Sequence, residues 1–481
     1  MAAPAPTPVR LLGRPSRGPV IDLDQRWPWV VAAVGLGLLL GLGLGAVGPA
    51  IGVAAVLLPV GVALLLRPDW LPAALAVTVF AESASIGGLS VSRVAGPLAL
   101  GLLLLQVRVN SPASFARLDK PLVGALTAYV LWACSSALWT VNFDPTLQEG
   151  GTAFAISSLV LSSVYLLAVA ALVRTPQHVF RLIVVIWALS SVMGLIALGE
   201  FVRGSDRAVG VSGDANFFAS LQIVAIPVGA VLAGYVRTGL QRAVVLLGVG
   251  IAVGSVVVSL SRGGILALAA LTILLAMQPA RGFFRTRARK RLFLGVMAIG
   301  AAVLLTASYG ALSARTSSLF NTADGGSGRA NLWRAAVTGI EEKPIFGLGF
   351  GAFANRSNDL MRMTPGVDFS AYKLRAGGQP VHNAYLESLV ELGPLGLALF
   401  LGMLVLTLQA LRRGARIAER NGSDMVGGVC RALSLSLAGF ALTSILLSTE
   451  TDRTLWLMMG LALTLPRIAA ATPAPGRREE P

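Results

Sequence analysis

Histidine and cysteine are nearly absent: the 481 residues contain two of each. Both cysteines, Cys134 and Cys430, fall in apolar stretches that read as helices, so neither a disulfide framework nor a thiolate metal site is expected. No cluster of His, Cys and Asp has metal-ligand spacing, and no cofactor is implied. Charge is scarce too, at 13% of residues, and the 23 acidic groups are outnumbered by 39 basic ones. What fills the chain instead is apolar, with 55% hydrophobic residues and a mean hydropathy of +0.75. Those values exclude an ordinary soluble globular protein and point to a polytopic membrane protein. No period of roughly 20 to 50 residues repeats, which excludes a solenoid. The two halves also lack the similarity that repeat-built transporters can show.

Apolar runs near 20 residues match a hydrocarbon core of roughly 30 Å at about 1.5 Å per residue. Such runs lie at about 28–47, 49–66, 70–87, 92–107, 120–139, 154–173, 181–201, 216–236, 243–260, 263–279, 292–311, 384–411, 427–448 and 454–467. The expected fold is an all-α polytopic membrane protein with about 12–14 transmembrane helices. It carries one large external loop containing interfacial helices. The segments are a cytoplasmic N-terminus (1–25), helices over 26–311, the loop over 312–383, C-terminal helices over 384–468 and a cytoplasmic tail (469–481). The polar N-terminus, rich in Pro and Arg, is long for a signal-peptide n-region, so the first helix is expected to stay uncleaved.

The formal charge of +16 at first suggests nucleic acid, but its distribution argues against that partner. Most Lys and Arg residues fall in alternate connections, including the block Arg281, Arg285, Arg287, Arg289, Lys290 and Arg291, while the intervening connection 140–153 has none. This is the positive-inside bias, and it sets both termini in the cytoplasm. The 281–291 block is also expected to touch anionic lipid headgroups.

The loop 312–383 is too long to be a plain connection, which marks it as functional. Asp324-Gly325-Gly326-Ser327-Gly328-Arg329 reads as a turn with Ser327 as the helix N-cap. A helix follows to about Glu342, stopped by Pro344. Leu332, Ala336 and Ile340, with Trp333 and Val337, make an apolar stripe that predicts a helix on the outer membrane interface. Gly347-Leu348-Gly349-Phe350-Gly351 turns the chain; without a strand–turn–helix unit around it, it is no dinucleotide site. His382 then opens the next membrane helix.

Several polar residues along this outer rim carry chemistry. Arg262, in Ser261-Arg262-Gly263-Gly264, either meets a ligand at the membrane boundary or snorkels to water. Arg329, in the first helical turn and one turn before Trp333, is either an anion site or a solvated arginine. His382 stands at a helix N-terminus, where the positive dipole end disfavours imidazolium and favours a neutral base. Asn383, Glu387 and Glu391 share one face of that helix, and carboxylates at this depth face a bundle interior. Glu387 has three possible roles: pairing with Arg262, pairing with Arg329, or orienting the histidine. Asp214 or Asn216 is either an N-cap or a partner of the arginines. His178 reads as a structural residue of a cytoplasmic turn, and Glu82, Asp452 and Arg453 carry no assigned role.

Taken in order, Gly213-Asp214-Ala215-Asn216, Ser261-Arg262-Gly263-Gly264, Gly328-Arg329-Ala330-Asn331-Leu332-Trp333, the 344–351 turn and His382-Asn383-Ala384-Tyr385-Leu386-Glu387, with Glu391-Leu392-Gly393 following, form one pattern. It resembles the O-antigen ligase and polymerase superfamily of bacterial envelope glycosyltransferases. The specificity lies in the order and shared placement of the motifs between about 210 and 400. The resemblance implies a multi-pass enzyme of the bacterial cytoplasmic membrane. It would move a glycan from a polyprenyl-diphosphate donor to an acceptor hydroxyl on lipid, glycan or protein. By motif, Arg262, Arg329 and His382 become the essential groups, with Trp333, Asn383, Glu387 and Asp214 as substrate contacts. The chemistry is consistent: a departing diphosphate needs fixed positive charge, which arginines supply, and the acceptor hydroxyl needs a base. A metal-independent, inverting reaction is expected. The rival readings are a polymerase acting on the same donor and a polysaccharide flippase or transporter. A transporter needs charges at mid-membrane depth, whereas the polar residues here gather at the rim.

Overall fold

The computed structural model describes residues 70–80, 85–86, 89–90, 118–140, 143–145, 151–205, 207–310, 313, 328–367 and 378–472. The expected spans 28–47, 49–66 and 92–107 and the N-cap Ser327 lie outside these residues, as does Glu82. The protein is an all-α polytopic membrane protein. Nine of the described helices are long and apolar enough to cross a bilayer, and a shorter apolar helix, Arg262–Met277, joins them.

In chain order the helices are α1 (Leu71–Phe80), α2 (Lys120–Ser135), α3 (Thr152–Leu172), α4 (Pro176–Val202), α5 (Ala215–Tyr235), α6 (Gly239–Val258), α7 (Arg262–Met277) and α8 (Arg287–Ala307). They continue as α9 (Arg329–Glu342), α10 (Ala352–Met363), α11 (Ala384–Arg420), α12 (Asp424–Thr443) and α13 (Arg453–Ala471). Most boundaries fall within a few residues of the hydropathy runs. The run at 70–87 does not: its helix stops at Phe80, and Ser85–Ile86 pairs antiparallel with Leu89–Ser90. The run at 384–411 also differs, because its helix continues to Arg420. That last stretch stays helical by burying Gly414, Ala415 and Ala418 while Arg413 ion-pairs with Asp119.

Helix α5 is the axis of the bundle: 94% of its apolar window is buried, and it packs on α12, α6 and α4. Helices in lipid gain little from hydrophobic burial against one another, so small residues and internal polar bonds hold them together. Gly428 of α12 fits against Val231 of α5. Ser190 and Gln222 bond across α4 and α5, and Ser436 Oγ donates 2.7 Å to Val224 O across α12 and α5.

Helix α11 is broken at Gly393-Pro394, and this break positions the external region. Pro394 has no N–H, so Val390 O loses its helical donor. Gly393 adopts φ 68 and interrupts the ladder further. Leu348 N and Gly349 N take the vacated places, donating to Val390 O (2.9 Å) and Glu391 O (2.8 Å). The 347–351 turn thus docks edge-on against α11. A side chain at Gly393 would collide with Ile345 O, so glycine is required for both conformation and space. On this docked turn α9 and α10 stack against α11, burying Leu332, Ala335, Ala336, Leu348, Phe353, Leu360 and Val390 together. The stripe expected to lie on the membrane surface is therefore consumed by protein packing, and Val337 of that stripe faces outward, 48% exposed.

Substituting Gly393 with Val is expected to lower stability by about 1–3 kcal/mol through left-handed strain alone, with the Ile345 clash adding to it. Gly402→Ala, in open space on the same helix, should be neutral or stabilising by up to about 1 kcal/mol. Thermal unfolding of the two variants in one detergent tests this, and equal midpoints would contradict the role given to the break.

Candidate functional site at one end of the bundle

The N-termini of α5, α7, α11 and α13 and the C-terminus of α12 lie at one end of the bundle. The chain leaving α12 makes a tight turn at Ser444–Leu446 and continues to Asp452, the N-cap of α13. This short connection adjoins the turns that carry Arg262 and His382. A Cβ on Gly263 would sit 3.3 Å from Leu446 Cδ1, so the first turn of α7, with Arg262, packs here. Ala384 N donates to Leu447 O (3.1 Å). His382 N donates to Ser448 Oγ (3.2 Å), and Ser448 Oγ in turn donates to the Glu387 carboxylate. Trp333, one turn after Arg329, donates Nε1 to Val381 O (3.2 Å). Arg262, Arg329 and His382 are each half-buried.

The backbone leading into these residues is strained. His382 has φ 55, and Leu260, two residues before Arg262, has φ 51. Left-handed non-glycine residues cost about 1–3 kcal/mol and persist only where their surroundings over-determine them. For His382 those surroundings are its N–H bond to Ser448 on one side and the cap of α11 on the other. Ser261 caps α7 by accepting from Gly264 N (3.1 Å) and donates to Asn216 Oδ1 (2.9 Å). Arg207 Nη2 also donates to Asn216 Oδ1 (3.4 Å), while its Nε donates to Ser259 O (3.2 Å). A third guanidinium thus adjoins the turn that carries Arg262.

Two expected contacts are already occupied as caps. Asp214 accepts from Asn216 N and Phe217 N at 2.8 Å each, which selects the N-cap reading of this residue. Asn383 accepts from Tyr385 N and Leu386 N at 3.1 Å, so its side chain folds back on the helix end and does not share the inward face of Glu387 and Glu391. Glu387 and Glu391 do face inward, at 8% and 3% exposure. Glu387 accepts from Ser448 Oγ, which itself accepts from the backbone N–H of His382. Glu391 accepts from Gly351 N (2.8 Å) and Phe353 N (3.1 Å), closing the N-terminus of α10 onto α11. His178 is structural, with Nδ1 against Leu172 O at 3.0 Å. Among the described residues no group of three or more His, Cys, Asp or Glu side chains is placed to hold a metal ion.

Sequence reading missed Ser448, Glu450 and Arg207. A lone serine beyond an apolar run gives no signal. Arg207 was detectable only as a charge in the one other long outward connection. Glu450 and Asp452 are buried beside the site, and Glu450 O accepts from Trp456 Nε1 (2.9 Å). Burial, with the charge of Glu387, pushes the Glu450 carboxyl well above the usual range.

The described helices thus bring arginines, a histidine and buried carboxylates to one end of a multi-pass helical bundle. Residues 244–401 match the O-antigen ligase family model, so this part of the chain is similar to that family. The matched region contains Arg262, Arg329 and His382. No curated protein matches the chain.

The carboxyl of Asp452 is pushed up from 3.8 to about 6, chiefly by burial. The unfolded chain therefore releases this proton near pH 4, whereas the folded protein keeps it to about pH 6. Stability falls as pH rises through that interval and stays lower above it. Asp452→Asn keeps the cap and is expected to flatten the melting temperature between pH 4 and 6. An unchanged slope would refute this assignment.

Proposed function

We propose that this protein transfers a glycan from a polyprenyl-diphosphate donor to an acceptor hydroxyl at the outer face of the bacterial cytoplasmic membrane, as an O-antigen ligase. The observation that carries the reading is that the motifs of Arg262 and His382 adjoin the 446–448 connection, while that of Arg329 is tied to the residue before His382 through Trp333. Arg262 and Arg329 each sit in the first turn of a helix, where free N–H groups and the dipole add to the guanidinium in favouring a diphosphate. They hold the leaving group as its charge grows, at no cost in protonation. His382 takes the proton of the acceptor hydroxyl, whose oxygen attacks the anomeric carbon opposite the diphosphate and inverts it. Trp333 fixes the histidine loop through Val381, and Asp214 and Asn383 act on the site as caps. Both termini are cytoplasmic in this reading, which rests on the distribution of Lys and Arg. A polymerase uses the same donor and site geometry, and the acceptor separates the two.

Purified protein incubated with a polyprenyl-diphosphate glycan and candidate acceptors tests this directly. His382→Ala is expected to lose transfer by about 10²–10⁴-fold and to remain folded, as are Arg262→Ala and Arg329→Ala, with no loss on chelation in the parent. Full transfer by His382→Ala, or a requirement for added divalent metal, would remove the mechanism.

Ser448 is assigned to position the histidine, and its loss removes one hydrogen bond of about 1 kcal/mol. Ser448→Ala should lower kcat about fivefold with donor KM unchanged, and Ser448→Thr should restore it. An unchanged kcat would sink this role.

A further inference from the structure

Away from the rim, the opposite end of the bundle carries a second cluster of arginines for which the proposed reaction has no use. Three guanidiniums converge on the C-terminus of α5. Arg242 Nε donates to Ala233 O (3.3 Å), Arg289 Nη1 donates to Gly234 O (2.8 Å), and Arg285 lies over the Tyr235 ring at 5.3 Å. The negative end of the helix dipole accounts for part of this attraction. It does not account for three like charges on three successive residues. No Asp or Glu occurs between residues 215 and 323 to balance them; Asp424 of α12 reaches Tyr235 from the other side. Arg285 is the third left-handed non-glycine residue among those described, with φ 65. Such strain is held where position matters.

From Arg242 an open apolar groove of about 540 Å³ runs up between α6 and α8. Its walls are Leu246, Leu247, Leu292, Val296 and Ile299, and its floor is made where Gly250 meets Gly300. From Gly239 to Gly250 the helix rises roughly 16 Å, about half of a hydrocarbon core. The groove is therefore one leaflet deep, apolar along its length and cationic at its mouth.

The geometry points to a binding site for an anionic phospholipid, with the phosphate at Arg242 and Arg289 and an acyl chain lying along the groove. The charge of the mouth selects the headgroup, because a guanidinium pairs with phosphate through two parallel hydrogen bonds. A zwitterionic lipid fills the same groove but brings its own cation to a site that already holds three. The depth of the groove suits a lipid chain and exceeds what free phosphate needs.

Native mass spectrometry of the full-length protein titrated with phosphatidylglycerol or phosphatidylcholine of identical chains tests the site. Unmodified protein is expected to retain phosphatidylglycerol about tenfold more tightly, which corresponds to about 1.4 kcal/mol. The double variant Arg242→Gln/Arg289→Gln should lose that preference. Gly250→Leu, which fills the groove and leaves the charges in place, should lose one bound lipid of either kind. Leu247→Trp, at an exposed position of the same wall, provides a second blocking variant should Gly250→Leu fail to fold. Equal retention of the two lipids by unmodified protein, or a preference that survives both kinds of variant, would overturn the proposal. None of these readouts depends on glycan transfer.

Discussion

The candidate site depends on a backbone that is not allowed to remain helical. Gly393-Pro394 removes one amide donor from α11 and turns another away. Inside a membrane protein an orphaned carbonyl is costly. The vacated carbonyls of Val390 and Glu391 are satisfied by Leu348 and Gly349 from a segment more than forty positions earlier. The 347–351 turn, with α9 and α10, is thereby anchored to the helix that His382 precedes. Local interruption of one helix becomes the attachment point for two others, α9 and α10.

Polar groups buried at the rim then divide the work. Glu391 holds the docked turn, Glu387 holds Ser448, and Ser448 holds the backbone of His382. Glu387 and Glu391 are thus spent on O–H and N–H donors of the protein. Strain at Leu260 and His382 sits in the turns that carry Arg262 and His382. This is the pattern expected where a side chain is aimed and cannot relax. The other end of the bundle repeats the theme with Arg285, beside the arginines that meet the C-terminus of α5.

Much of this was legible in the chain. Hydropathy located the spans because a helix in lipid must satisfy its own backbone, so composition and length suffice. The order of motifs pointed to Arg262, Arg329 and His382, and it pointed to a family. Side-chain roles were less readable. Asp214 and Asn383 looked available for substrate, yet both turn back to cap their helices, a choice made by local φ and ψ. The stripe on α9 looked interfacial, yet Leu332 and Ala336 are buried against protein while Val337 faces outward, because an amphipathic helix presents the same pattern to lipid and to protein. Ser448 was invisible, since its meaning lies in what stands sixty residues away.

The sequence by itself determined the membrane character of the protein, its likeness over residues 244–401 to the O-antigen ligase family and the residue types along its polar turns. All three follow from composition, periodicity and short motifs, which are local properties. Only the tertiary structure decided which of those residues meet. The approach of α7 and α11 to one connection, with α9 held against Val381, comes from a break in a helix, a positive φ and a single hydroxyl. Such long-range closure leaves no periodic trace in the order of the amino acids.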